Sequence, residues 1–202
     1  PQTTRALTTR RQGAVITVEG RRVQQTMRTP TGFATPKQLA SFRELRTQLM
    51  TAAAGAGLAS CFTTLIVPMK SGAGASFVAR NLAAAFTLEE RRLAILIDCN
   101  LAHPTQHTAL GVQMDDGGLF DYLERPHGDM QRLIQPTCVP ALHWIPAGHP
   151  PAIPREYLSS SAMRSAMAAL RQPDCYVFLD SPPVQTAPDA RILSELADFI
   201  IL

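Results

Sequence analysis

The chain has 202 residues, 46% of them hydrophobic, which is the composition of a soluble globular protein with room for one sizeable core. No apolar run approaches the ~20 residues needed to cross a bilayer, and no signal-peptide pattern opens the sequence. The net charge of +3 is unevenly placed: residues 1–36 carry Arg5, Arg10, Arg11, Arg21, Arg22 and Arg28 against Glu19 alone, so the remainder is slightly acidic.

That first stretch reads as an Arg-rich, largely flexible arm over 1–36, ordered only where Ala14, Ile16 and Val18 alternate like a short edge strand. A solvated tail is the plain reading. The same charge can meet an anionic membrane surface, and no specific nucleic-acid partner is expected. Residues 37–202 form the expected domain. Thr35-Pro36-Lys37-Gln38 offers an N-cap, a proline at the first helical position and a glutamine three residues on, a strong helix start. Leu39, Phe42, Leu45 and Leu49 follow at helical spacing, and Gly55-Ala56-Gly57 ends the run.

Buried strands are expected over 61–67, 93–97, 142–146, 176–179 and 199–202, with helices over 76–90, 118–124, 161–171 and 188–196. Strands alternating with helices imply an α/β fold, a doubly wound and mostly parallel sheet with helices on both faces. A buried strand ending at Leu202 suggests that the polypeptide is a fragment. Cys61, Cys99, Cys138 and Cys175 form no C-x-x-C pair and read as small core residues, not as a disulfide set or zinc site.

The most informative segment joins the first expected strand to the helix after it. Pro68-Met69-Lys70-Ser71-Gly72-Ala73-Gly74-Ala75-Ser76 has the frame of a phosphate loop, in which backbone N–H groups at a helix N-terminus receive a nucleotide's phosphates. A working G-x-x-x-x-G-K-[ST] loop has lysine just before its last residue; here that residue is Ala75, and Met69 replaces the first glycine. Gly72, Ala73, Gly74, Ala75, Ser76 and Phe77 are thus the expected phosphate contacts. Parallel sheets bind ligands at the carboxyl ends of their strands, and two aspartates fall there. Asp98 follows 93–97 and Asp180 follows 176–179. A hydroxyl such as Ser76 and a strand-end aspartate are the usual holders of Mg²⁺ in such loops. A lone aspartate after a strand is commonly a turn residue; two of them downstream of a glycine loop point to a nucleotide site.

These pieces resemble the cytoplasmic domain of bacterial tyrosine kinases, the autokinases that govern exopolysaccharide and capsule chain length. The resemblance runs from about Pro36 to Leu202. It is carried by Phe42-Arg43-Glu44-Leu45-Arg46-Thr47, the glycine loop, Asn81-Leu82-Ala83, Ile97-Asp98-Cys99-Asn100 and Gly118-Leu119-Phe120-Asp121. Pro146-Ala147-Gly148, Leu158-Ser159-Ser160-Ser161-Ala162-Met163 and Asp180-Ser181-Pro182-Pro183 complete the series. Partition and division-site ATPases share the loop and both aspartate motifs. The family implies ATP and Mg²⁺ as ligands, with Ser76 and Asp180 on the metal and Asp98 beside an incoming tyrosine hydroxyl. It also implies a ring of subunits joined through the first helix, a membrane chain-length determinant as partner, and a place on the cytoplasmic side of the inner membrane.

The sequence departs from that pattern. Ala75 replaces the loop lysine, and Asn100 replaces a second aspartate, keeping only a hydrogen bond to a metal-bound water. Ala102 stands where a basic residue is usual. Ala40 removes the ring-forming glutamate and leaves Arg43 and Arg46 for subunit contact. The tyrosines are Tyr122, Tyr157 and Tyr176, with no terminal cluster. The expectation is a degenerate kinase-like regulator or scaffold, a homo-oligomeric partner of the chain-length protein or of an intact kinase, with weak or lost ATP turnover. The alternatives are an active autokinase in which Lys70 supplies the missing charge, and a positioning ATPase of the partition or division type.

Overall fold

The computed structural model describes residues 32–101, 103–112, 117–126, 130–149, 157–185 and 188–202. The expected edge strand at 14–19, nearly all of the arm, and Ala102 lie outside the described residues.

The elements follow in the order α1 (Pro36–Gly55), β1 (Cys61–Ile66), α2 (Ala75–Phe86), β2 (Leu93–Asp98), α3 (Gln106–Leu110), α4 (Leu119–Glu124), β3 (Gln135–Pro136), β4 (Leu142–Ile145), α5 (Ser161–Leu170), β5 (Cys175–Asp180), α6 (Asp189–Ser194) and β6 (Phe199–Ile201). The sheet order is β3-β4-β2-β5-β1-β6. All described pairings are parallel except that of the two-residue edge strand β3 with β4. The doubly wound, mostly parallel fold expected from the sequence is the fold observed.

Alternation along each buried strand sorts its side chains between two cores, as a period of two requires. Phe62, Leu96, Trp144, Tyr176 and Phe178 face α1 and α2 on one side. Leu65, Ile95, Ile97, Val177 and Leu179 face α4, α5 and α6 on the other. The first core is aromatic, with Phe62 meeting Phe86, Tyr176 and Phe199 edge-on at 5.6, 4.9 and 5.1 Å between ring centres. Such contacts add about 0.5–1.5 kcal/mol each beyond area burial.

The first helix begins as its sequence dictates. Thr35 is extended and accepts from the Gln38 amide, while the Gln38 side chain accepts from the Thr35 N–H at 3.0 Å. This capping box stabilises the start by about 1 kcal/mol. At the other end Gly57 takes φ +73°, and the Leu58 N–H reaches the Ala53 carbonyl at 2.8 Å, closing a Schellman turn. Only Phe42, Leu49 and Ala53 of this helix are buried, because it rides on α2 and not on the sheet. The second helix is wedged between sheet and α1, so it is buried almost all round. It stops at Phe86, short of the expected residue 90. Thr87 caps it by donating its hydroxyl to the Ala84 carbonyl, and Glu89 pairs with Arg92 to hold the reversal into β2.

The start of the domain also differs from expectation. Gly32 and Ala34, expected within the arm, are fastened to α2: Arg80 donates to the Gly32 carbonyl at 2.8 Å and Asn81 accepts from the Ala34 N–H at 2.6 Å. The four cysteines are free thiols. No helix among the described residues is long and apolar enough to cross a membrane.

Candidate nucleotide site

Two neighbouring crossovers build the site. The loop after β1 turns into α2, and β5, which lies between β1 and β2, brings its last residue alongside. Asp98 and Asp180 are register partners at the ends of β2 and β5, and both are fully buried.

The loop keeps the backbone of a phosphate cradle. Gly72 and Gly74 adopt φ +75° and +89°, left-handed values that favour glycine. Nothing lies within 4 Å of the place where either Cβ would stand, so the requirement is conformational and the loop borders open space. Gly74 caps α2 without a side-chain hydrogen bond. The N–H groups of Ala75, Ser76 and Phe77 therefore head the helix with no carbonyl a turn earlier, where the helix dipole favours an anion. The Ala75 methyl group is half-buried at the lysine position, and Lys70 is exposed on the loop before it.

The carboxylates beneath are bonded densely. Asp98 accepts from the backbone N–H groups of Asn100, Thr105 and Gln106, each at 3.2 Å, and thereby organises the turn into α3. Burial, reinforced by the nearby charge of Asp180, pushes the Asp98 carboxyl up to about 7 against the pull of those three donors. Asp180 accepts from the Gln106 side-chain amide at 2.7 Å through Oδ2. Burial raises it too, while Gln106, the Ser76 hydroxyl and the Arg80 charge work in the opposite direction. Its other oxygen, Oδ1, is buried with no hydrogen-bond partner.

That orphaned oxygen, the adjacent Ser76 hydroxyl and the open cradle fit a hard divalent cation with its phosphate ligands. Mg²⁺ typically takes one or two carboxylates and fills its remaining positions with water and phosphate. Among the described residues there is no group of three or more His, Cys, Asp or Glu side chains that would suit a protein-only metal cage.

The structure thus brings Gly72–Ser76, Asp98 and Asp180 to one end of the sheet. Asn100 lies two residues beyond Asp98, partly exposed. Arg43 and Arg46 do not share one role. Arg43 is exposed on α1, whereas Arg46 donates to the Ala85 carbonyl at 2.9 Å and pairs with Glu89 at 3.3 Å. Arg46 is thereby engaged within its own chain, tying α1 to the end of α2.

Two site residues escaped the sequence reading. Gln106 is fully buried on α3, a helix the periodicity did not reveal, and Arg80 is 5% exposed on α2. For Arg80 a signal existed. It is the one charged residue, one turn after Ser76, on a largely apolar helix, where a charge must have a partner.

No family model matches the chain. Among curated relatives it is 32% identical to the tyrosine-protein kinase YwqD of Bacillus subtilis over 170 residues, 83% of this chain and 69% of the relative. It is 30% identical to the tyrosine-protein kinase wzc of Salmonella typhi over 181 residues, 89% of this chain but only 24% of that much longer protein. Among solved structures, the chimerical protein CapA2B2 superposes with a TM-score of 0.70 at 26% identity, covering 82% of this chain and 70% of that one. The septum site-determining protein MinD of Pyrococcus horikoshii, complexed with Mg-ADP, shares the fold at a TM-score of 0.56 and 20% identity, covering 70% of this chain and 57% of that one. With its loop, paired aspartates and sheet order in place, the chain belongs to the family of bacterial tyrosine-protein kinases.

Proposed function

We propose that the chain is a degenerate member of that family, a regulator or scaffold in exopolysaccharide synthesis and export that binds nucleotide weakly and turns it over slowly or not at all. One observation carries the reading: an intact backbone cradle stands over a buried aspartate pair, with a methyl group where the phosphate-binding cation belongs. Removing one charge-assisted contact to phosphate costs about 1.5–3 kcal/mol in binding. Losing a comparable contact in the transition state costs roughly 10²–10³ in rate. Phosphoryl transfer relies mainly on positioning and charge neutralisation, so both losses fall on one step.

The cradle N–H groups of 75–77 receive the terminal phosphates of ATP, and Phe77 follows them into the helix. Ser76 and Asp180 are the residues to hold Mg²⁺, with Asn100 reaching it through water; the ion supplies charge neutralisation at the phosphates. The MinD neighbour, solved with Mg-ADP, supports the nature of this ligand. The tyrosines point the same way as Ala75. Tyr157 and Tyr176 are buried, and Tyr122 is half-buried against the core, so none of the three is fully exposed.

The ligand of such a scaffold is a membrane chain-length determinant or an intact kinase, reached at the cytoplasmic face of the inner membrane, and the chain assembles with copies of itself. Arg43, exposed on α1, is the better placed of the two arginines for subunit contact. A second reading has one observation in its favour. A carboxyl held near 7, as Asp98 is, can accept a proton from a tyrosine hydroxyl close to neutral pH. An active autokinase would then use Lys70 as its cation and a tyrosine of another molecule as acceptor.

Incubation of the purified chain with radiolabelled ATP, beside a titration with Mg²⁺ and ADP, separates the two. The expected result is Mg²⁺-dependent ADP binding with no label on protein. Rapid transfer of label to this chain or to a partner kinase's tyrosine would establish the second reading in place of the first.

A further inference from the structure

Arg80 occupies an unusual place: a guanidinium enclosed among apolar side chains, one helical turn behind the hydroxyl that caps the glycine loop. Its Nε donates to the Gly32 carbonyl at 2.8 Å, and its Nη1 donates to Gln106 Oε1 at 2.7 Å and more weakly to the Ser76 carbonyl at 3.4 Å. Phe33 and Phe77 present their rings to it at 6.0 and 5.9 Å. A guanidinium only donates. It therefore takes the oxygen of the Gln106 amide, while the Ser76 carbonyl and the Asp180 carboxylate, which only accept, take its NH₂. That NH₂ then has a single orientation, with Nε2 donating to the Ser76 carbonyl at 3.0 Å and to Asp180 Oδ2 at 2.7 Å. The consequence falls on the carboxylate. One oxygen of Asp180 is tied down, the ring of contacts fixes its plane, and Oδ1 is left as the buried oxygen without a partner.

We propose that Arg80 is a positioning residue: through Gln106 it locks Asp180 so that its free Oδ1 faces a divalent cation at the phosphate loop. Arg80 touches neither metal nor phosphate in this scheme. Without the guanidinium the amide oxygen would lose its buried donor, and Gln106 would no longer be anchored where its NH₂ reaches Asp180. The inference rests on the nucleotide-site reading above and adds the means by which that site keeps its metal ligand ordered without a loop lysine. Outer partners of this kind typically change metal affinity by about 10–100-fold.

The test measures ADP affinity of the purified chain by calorimetry in excess Mg²⁺ and in EDTA, and takes the ratio of the two. Three variants are compared, Arg80→Lys, Arg80→Gln and Arg80→Met, each checked for a cooperative thermal transition. A general loosening of the fold lowers both affinities and leaves the ratio alone. Lysine is also a pure donor, so Arg80→Lys is expected to keep the wild-type ratio within about threefold. Glutamine and methionine offer the Gln106 oxygen no charged donor, so Arg80→Gln and Arg80→Met are expected to lower the ratio about tenfold. Where the apolar variant does not fold, the polar Arg80→Gln carries the test. A folded Arg80→Gln with an undiminished ratio overturns the inference and leaves the nucleotide site standing. Wild-type ADP binding that ignores Mg²⁺ also overturns it. Failure of the wild-type chain to bind ADP under either condition overturns the nucleotide-site reading itself, and this inference with it.

Discussion

The two halves of the site follow different rules. The loop over 72–77 is open and borders solvent, whereas Asp98 and Asp180 are sealed beneath it, the first held by the backbone N–H groups of Asn100, Thr105 and Gln106 and the second by the Gln106 side chain. The loop carries Ala75 where a phosphate loop has lysine and still has the cradle's shape, because two left-handed glycines and a helix start are enough to define it. Side-chain loss in the floor has no such remedy. A buried carboxylate without its donors is costly wherever the chain ends up functionally. A loop shaped by its backbone therefore tolerates a changed side chain, while buried charge stays coupled to stability.

The sharpest way to break this comparison is to titrate the floor. The Asp98 carboxyl sits at about 7, above its ordinary 3.8, so the folded state holds a proton that the unfolded chain releases. Its contribution to stability is fully present below about pH 4 and is lost as pH rises through about 7, on the order of 4 kcal/mol in metal-free protein. Urea unfolding in EDTA across that range measures the slope, and Asp98→Asn should flatten it; equal slopes for the two proteins reject the account. Gln106→Leu comes next. It strips Asp180 of its amide donor and leaves Arg80 facing a hydrocarbon, with an expected loss of about 3 kcal/mol in urea unfolding. A loss within 0.5 kcal/mol, taken here as roughly the noise of surface changes, would mean that the network is dispensable.

The loop should answer to affinity and hardly to stability. Ala75→Lys restores the cation and is expected to tighten Mg-ADP binding by about 2 kcal/mol, some 30-fold, with little change in unfolding midpoint; no gain would place the phosphates elsewhere. Gly74→Ala imposes a side chain at φ +89° and should cost about 1 kcal/mol in stability together with most nucleotide binding. Lys70→Ala is the smallest change. Its stability effect should be under about 0.5 kcal/mol, and unchanged nucleotide affinity would dismiss the idea that Lys70 replaces the loop lysine.

Comparing elements shows why some of this was readable in advance. The capping box at Thr35 and the Schellman turn at Gly57 are encoded within a few residues, so they appear where the sequence places them. Four apolar strands were equally legible, since burial on both faces demands continuous hydrophobic runs; the run at 199–202, expected to be buried, is instead the edge strand β6 of the described sheet, with Ile200 exposed. The third helix was not: Gln106–Leu110 has five residues, too few for a period to register, and it is started by a carboxylate eight residues earlier. The two-residue β3 has no local signature either, and exists only because β4 offers it an edge. Arg46 reads as an exposed helix arginine by sequence, and only the packing of α1 on α2 brings the Ala85 carbonyl and Glu89 within its reach.

The sequence by itself determined the doubly wound sheet, the glycine loop and the placement of an aspartate after each of two strands, because these depend on hydrophobic periodicity and on what glycine alone permits. The tertiary structure decided that Asp98 and Asp180 stand in register, that Gln106 spans from one to the other, and that Arg80 is enclosed beside them. Those relations join residues up to 82 positions apart on neighbouring crossovers. No local pattern can specify them, since they arise from strand order, and strand order is settled by the packing of both cores together.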